Sequence, residues 1–213
     1  MGLLDRFRRR PPIPSPADLA TVRAYFEDAA SSEEHYPSSI DSRILFVQRL
    51  LEHLGPLGSG VAADIGSGKG RFARLVKDHN PAATVIALDI AEAMLRRVPG
   101  DIRLVAAGMT QLPLATASVD GAYAIESLEH AVDIEAAVRE LCRVVKPGGR
   151  IVIIDKNIAA WGRFETPAWE QWFDRKGLEK LLRLHCHTVR SEPISYWEDV
   201  APDGLFLAWY AVK

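Results

Sequence analysis

The residues with the clearest capacity for chemistry lie between Val61 and Asp89. The run Val61-Ala62-Ala63-Asp64-Ile65 is apolar apart from one aspartate, and Gly66-Ser67-Gly68-Lys69-Gly70 then sets three glycines at alternate positions before Arg71 and Phe72. A short buried strand that ends in an acid, followed by glycines that let the backbone turn into a helix with free N–H groups, makes a receptacle for an anion. Asp89 stands 19 residues beyond Gly70, at the end of the next apolar run, with Ile90 beside it. In a doubly wound sheet a carboxylate there accepts hydrogen bonds from a ribose. The pattern reads as a nucleoside site. A pyrophosphate fits it poorly, because dinucleotide loops are spaced GxGxxG and this one is GxGxG, and because Asp64 repels phosphate but suits an ammonium group. An ordinary glycine-rich turn remains the bland alternative for the loop taken alone.

These residues need a scaffold, and the rest of the chain supplies one. Strands are expected over Val61–Ile65, residues 84–88, residues 102–106, Val119–Ile125 and residues 150–154. Between them run helical patterns whose inward residues are Phe72, Leu75 and Val76, then Met94, Leu95 and Val98, then Ile134, Val138, Leu141 and Val145. Strands apolar on both faces and alternating with helices predict a parallel sheet covered on both sides. Upstream, a short helix is predicted over residues 18–30, a polar loop over 31–39 carrying His35 and Tyr36, and a longer helix from Ile40 to Leu54, stopped by Gly55 and Pro56. Downstream, Thr166-Pro167 reads as the start of a helix bearing Trp169, Trp172 and Phe173, and Asp174 as the cap of another. Two β-like runs at 185–190 and 204–212 then pair as a hairpin whose loop holds Tyr196 and Trp197.

The loop from Asp64 to Gly70 together with Asp89 resembles the first two motifs of class I S-adenosylmethionine-dependent methyltransferases. Residues 139–153, with Lys146-Pro147-Gly148-Gly149-Arg150 at their centre, resemble the helix, turn and fifth strand of small-molecule methyltransferases of the ubiquinone and menaquinone type. The likeness covers residues 61–155. It implies a Rossmann-like three-layer α/β/α sandwich, with a seven-stranded, mostly parallel sheet and an antiparallel final strand. It implies S-adenosyl-L-methionine as cofactor, held by Asp64, Gly66, Ser67, Gly68, Gly70, Asp89, Ile90, Gly108, Met109 and Ile125. One position departs: an Asp that contacts the adenine amino group in resembling chains is replaced here by Gly108, leaving main-chain groups of residues 107–109 and the Met109 side chain to take its place. The segment Ile125-Glu126-Ser127-Leu128-Glu129-His130 follows the fourth strand, where open sheets hold ligands. His130 is the candidate base, since imidazole titrates near neutrality, and Glu126 a second catalytic candidate. His35, Tyr36, Glu129, Tyr196 and Trp197 are candidate acceptor contacts. Packing or helix-capping roles compete for each.

The implied activity is methyl transfer to an oxygen, nitrogen or carbon nucleophile of a small metabolite, free or linked to a lipid or glycan. Aminopropyl transfer on the same fold, or a cofactor-binding subunit without catalysis, are the alternatives. A metal-assisted variant through Glu126, Asp155 and Asn157 lacks the spacing of hard-cation sites, so no metal is expected. The chain has 213 residues, of which 48% are hydrophobic and 25% charged, and a formal net charge of -2, which argues against a nucleic-acid groove. Its two cysteines form no disulfide framework and no metal spacing, so a cytoplasmic setting is expected. The organisation reads as a basic, proline-rich tail over residues 1–16 with at most weak membrane-surface contact, then one domain over 17–213: a cap at 17–57, a cofactor core at 58–155 and acceptor-side elements at 156–213. A monomer or homodimer is expected, with a small molecule as partner.

Overall fold

The computed structural model describes residues 17–213, and the basic tail with its surface-contact expectation lies outside them. Seven strands form one sheet in the order β3-β2-β1-β4-β5-β7-β6. They are β1 (Val61–Ile65), β2 (Thr84–Asp89), β3 (Arg103–Ala106), β4 (Val119–Ile125), β5 (Val145–Lys156), β6 (Thr188–Ile194) and β7 (Phe206–Val212). The first five run parallel, and β7 lies antiparallel between β5 and β6. Among the described residues six α-helices accompany the sheet: α1 (Leu19–Ala29), α2 (Leu45–Leu54), α3 (Arg71–His79), α4 (Glu92–Leu95), α5 (Ile134–Val144) and α6 (Arg175–Arg183).

Period-two alternation divides the apolar strand residues between two cores. Ile151 and Ile153 of β5 join Val138, Leu141, Leu178 and Leu182 from α5 and α6. Val152 and Ile154 join Phe46 and Leu50 of α2 and Phe72 and Val76 of α3 on the opposite face. Both faces are therefore covered, as the doubly apolar strands require, and the three-layer expectation holds. Aspartates start three helices: Asp18 accepts from the Thr21 amide at 2.7 Å, Asp133 from Ala136 at 2.9 Å and Asp174 from Gly177 at 2.6 Å.

Several boundaries differ from expectation, each because a long-range partner claims the backbone. The second helix starts at Leu45 rather than Ile40: the Asp41 carboxylate turns the chain by accepting from the Arg43 amide at 2.9 Å, and the Leu45 amide donates to the Tyr196 carbonyl at 2.7 Å. No helix forms around Trp169 and Trp172. There the Gln171 amide donates to the Glu129 carbonyl and the Phe173 amide to Lys156, both at 2.9 Å, so the segment is tied to the end of β5 instead of to itself. Pro147-Gly148-Gly149 is an irregularity inside a long β5, not a turn ahead of it. Gly148 at φ 78° absorbs the bend, and its amide is paired with the Lys213 carbonyl. The closing hairpin is present with both strands starting later than expected. Among the described residues no helix is long and apolar enough to cross a membrane.

Candidate active site

The loop after β1 is built by glycine. Gly66, Gly68 and Gly70 take φ of 72°, 53° and 77°, a region that costs a β-carbon. Gly66 and Ser67 both donate to the Leu88 carbonyl, at 2.8 and 2.9 Å, which ties the loop to the end of β2. The Gly68 amide donates to Asp89 Oδ2 at 2.8 Å, and Asp89 Oδ1 accepts from Ala91 at 2.9 Å. Gly70 donates to Ser67. The expectation that these glycine amides receive a ligand anion is therefore corrected, because Gly66 and Gly68 donate to the end of β2 and Gly70 to Ser67. What the loop offers a ligand is closeness: a β-carbon on Gly68 meets no atom within 4 Å, so the backbone there faces open space.

That space is an open cleft at the carboxyl ends of β1 to β4, where open α/β sheets hold their ligands. Gly66, Ser67, Gly68, Asp89 and Ile90 line one side of it, with Gly108, Met109 and Ile125 continuing the wall. Gly70 lies outside the lining and sets the start of α3, its Cα pressed against Val98 so closely that a β-carbon would stand 2.7 Å from Val98 Cγ1. Asp64 lies beneath the loop, 2% exposed. Burial, with the nearby Asp89 carboxylate second, pushes its pKa up to about 8. Its Oδ2 has no hydrogen-bond partner, and neither has the buried hydroxyl of Tyr123, which is its register partner on β4. Unpaired buried polar atoms on adjacent strands are costly; Asp64 itself is not among the residues that line the cleft, unlike the glycine loop that follows it. Burial also raises the pKa of Asp89, partly offset by the amides of Ala91 and Gly68.

The sequence reading missed four contributors. Arg71, the first residue of α3, lines the cleft and pairs with Glu126; its place just after the third glycine was the available signal. Lys69, with a side chain only 1% exposed, reaches back to the Ser32 carbonyl at 2.9 Å and Glu33 at 2.7 Å, holding the 31–39 loop against the glycine loop. Leu19 and Phe26 of α1 also face the cleft, where helical spacing alone could not say against what they packed.

On the β4 side, Glu126 takes φ of 52° and lines the cleft, with one oxygen paired to Arg71 and the other accepting from the Tyr196 hydroxyl at 2.8 Å. His35, Tyr36 and His130 line it as well. Burial, then the Lys156 ammonium, pushes the His130 pKa down to about 3, so the imidazole is neutral. Its nitrogens lie 3.5 Å from Glu129 and 3.9 Å from Glu170.

Three acceptor candidates are placed elsewhere. Glu129 is 1% exposed and turned away under His130, bonded to Lys156 Nζ at 2.5 Å, because a carboxylate buried there needs a cation. Tyr196 stacks on Phe46 with centroids 4.5 Å apart and reaches the cleft only through Glu126. Trp197 is outside the cleft lining and 42% exposed. Among the described residues, Glu129, His130 and Glu170 form one group of potential metal ligands within 4.8 Å of one another, and Lys156 Nζ already bridges its carboxylates at 2.5 and 2.9 Å. Asp155 and Asn157 are engaged by main-chain groups instead.

Gly66→Ala tests the loop. A β-carbon there would lie 2.6 Å from Ser127 Cβ at a φ hostile to it, so we expect a loss of about 2–4 kcal/mol in stability by urea unfolding, together with loss of cofactor binding. Gly68→Ala, which meets no neighbour, should cost less stability and affect binding more selectively.

The methyltransferase-domain family model matches residues 63–153. The malonyl-[acyl-carrier protein] O-methyltransferase of Pseudescherichia vulneris is 34% identical over 179 residues, covering 83% of this chain and 68% of that protein. A ubiquinone/menaquinone biosynthesis C-methyltransferase of Syntrophotalea carbinolica is 31% identical over 112 residues, 49% of this chain and 47% of its own length. The solved structure of an S-adenosylmethionine-dependent methyltransferase from Mesorhizobium loti superposes with a TM-score of 0.66 at 19% identity, over 78% of this chain and 97% of that one. Across the first curated relatives matched, the chain spans 38–58% of their length. With the glycine loop and Asp89 lining one cleft and Asp64 buried in β1 just ahead of that loop, the chain belongs to the class I S-adenosylmethionine-dependent methyltransferases.

Proposed function

We propose that the chain transfers the methyl group of S-adenosyl-L-methionine to an oxygen, nitrogen or carbon nucleophile of a small metabolite. The observation that carries this is the cleft lined by the glycine loop, Asp89, Gly108 and Met109, with the buried, unpartnered Asp64 Oδ2 two residues ahead of that loop. When bound, the cofactor supplies a methyl carbon on a cationic sulfur, open to in-line attack. The chain's own part is placement. Asp64 holds the ammonium directly or through water, and Asp89 the ribose. Gly108 and Met109, with Leu19 above Gly108, enclose the base. Holding the reactants in near-attack geometry supplies most of the acceleration such displacements need. We assign His130 the proton from a hydroxyl or amine acceptor. Burial pushes its pKa down to about 3, away from the near-neutral value that marked it as a candidate base, so it is an unprotonated, weak base that takes the proton as the new bond forms and makes the attacking atom strongly acidic. On this reading residues 17–57 cap the cleft, 58–155 hold the cofactor and 156–213 buttress the acceptor side.

Titration calorimetry tests it. S-adenosylmethionine and S-adenosylhomocysteine should bind, and decarboxylated S-adenosylmethionine and NAD should bind more weakly; tighter binding of the decarboxylated compound favours aminopropyl transfer, and of NAD a different enzyme class. The pH dependence has a definite sign. Asp64, raised to about 8, is mostly protonated in the free protein near neutrality and must ionise to hold an ammonium. Affinity should therefore rise between pH 6 and 7.5 by up to about tenfold per unit, with proton release detectable by repeating the titration in buffers of different ionisation enthalpy. Flat affinity over that range would remove Asp64 as the ammonium partner.

A further inference from the structure

The charges around the cleft carry a statement about what shares it with the cofactor, provided the methyl-transfer reading holds. The nucleoside site runs along the ends of β3, β2 and β1, so the acceptor is left the β4 end and the cap above it. Among the described residues lining the cleft, each lysine, arginine, aspartate and glutamate is already engaged by the protein. Lys69 is held by Glu33, and Arg71 is paired with Glu126, whose other oxygen is taken by Tyr196. Both Asp89 oxygens accept main-chain amides. Behind the wall, Lys156 is likewise committed, to Glu129 and Glu170.

Beside the paired Arg71 and Glu126, with Ser127 and His130, the β4 end presents apolar and aromatic side chains. Phe26 packs edge to face against the His130 ring, with centroids 4.9 Å apart and planes at 69°, and against Tyr36 at 5.7 Å. Ala131 and Val132 continue the wall. An anionic acceptor there would have to take Arg71 from Glu126 and leave that carboxylate half-buried and unpaired, and a cationic one would have to take Glu126 from Arg71. Removing one member of a shielded ion pair is unfavourable whichever member goes. A neutral molecule incurs neither loss and gains from leaving water.

We propose that the methyl acceptor is an uncharged molecule with an apolar body, seated between Phe26 and Tyr36 of the cap and the Ala131-Val132 segment, and that carboxylates, phosphate esters and alkylammonium compounds are excluded. Selectivity then arises from internally matched charges more than from any single recognition group.

The test uses one ring system in four charge states: 2-naphthol, 2-naphthoate, 2-naphthyl phosphate and 2-naphthylmethylammonium, each titrated into the full chain saturated with S-adenosylhomocysteine, at pH 7. We expect 2-naphthol to bind at least tenfold more tightly than each charged analogue. Phe26→Ala should weaken 2-naphthol at least fivefold while changing S-adenosylhomocysteine affinity less than threefold, which also certifies that the variant is folded. Equal or tighter binding of a charged naphthalene, no binding of 2-naphthol, or an unchanged 2-naphthol affinity in Phe26→Ala would overturn the proposal. If S-adenosylhomocysteine itself fails to bind, the methyl-transfer reading fails and this inference with it, and that result is separately visible because the cofactor titration comes first.

Discussion

Replacing Asp64 by Asn should weaken S-adenosylmethionine binding about 10- to 150-fold and, in the same protein, raise the melting temperature of the ligand-free form. The two effects share a cause. The Asp64 carboxylate is buried, and burial with the Asp89 charge raises its pKa to about 8. A folded-state pKa above the unfolded value means that the group favours folding fully only below about pH 4 and that this contribution is lost progressively as pH rises through 8. At and above neutrality the native state therefore carries an unfavourable acid whose Oδ2 has no partner. Asparagine keeps the shape, never ionises, and should raise the melting temperature by about 2–6 °C, equivalent to about 1–2 kcal/mol in a domain of this size. The gain should shrink towards pH 4, where aspartate is also neutral. The binding loss follows from removing a charge-assisted contact of about 1.5–3 kcal/mol. Differential scanning calorimetry at pH 5 and 8, beside cofactor titration, measures both. A lower melting temperature at pH 8 would show that the carboxylate is satisfied in the free protein, and unchanged affinity would show that it never meets the ligand. The trade between stability and function is the expected signature of a binding residue held in strain by its surroundings.

Much of this site was legible in the chain because glycine spacing and strand-end acids are local signals. Asp64, the three glycines and Asp89 needed only neighbours within one βαβ unit to acquire their meaning, and the alternation of apolar runs fixed the parallel core with its antiparallel close. What stayed hidden depends on distant partners. Glu129 reads as an acid beside a ligand edge, and only the fold reveals that Lys156 and Asp155 come up beneath it. The helix expected at Trp169 and Trp172 has a fair periodic pattern, yet its amides are claimed by Glu129 and Lys156, a competition no local pattern records. Trp197 seemed suited to a substrate because it is aromatic and in a loop, whereas the loop places it at the surface. The glycine amides, expected to receive an anion, were miscast for the same reason: Leu88 and Asp89, far along the chain, take them first.

Lys156→Met should be the most damaging change to the scaffold outside the glycine loop, costing about 3–5 kcal/mol near pH 8, or roughly 6–20 °C in melting temperature. Lys156 Nζ bridges Glu129 and Glu170 at 2.5 and 2.9 Å, and Trp172 Nε1 also donates to Glu170, at 2.6 Å. Asp155 lies alongside, accepting from the amides of Glu129 and Lys156. Three buried carboxyl groups thus share one ammonium. Burial raises the Glu129 pKa, with Asp155 adding to it, and raises that of Asp155 to about 6. Burial tends to lower the Lys156 pKa, but the carboxylates of Glu129 and Glu170 outweigh it and the ammonium is held charged. Folded-state pKa values above the unfolded ones make Glu129 and Asp155 favourable to folding when protonated and progressively less so as pH rises through 6 and beyond. Without the ammonium they shift further up, so the deficit of the methionine variant should be small near pH 4.5 and grow towards pH 8. Adding Glu129→Gln should recover more than half of the loss at pH 8, since the remaining charge then has fewer like neighbours. Thermal unfolding of the wild type, both single variants and the double variant at three pH values closes the cycle. A deficit independent of pH would assign Lys156 a packing role through its stem against Trp172 and strip the cluster of its electrostatic reading. The same cluster stands directly behind His130, so its charge balance sets how readily the imidazole accepts a proton. The methionine variant, by removing the Lys156 ammonium, should raise the His130 pKa, a change visible by NMR in the shift of its ring protons with pH.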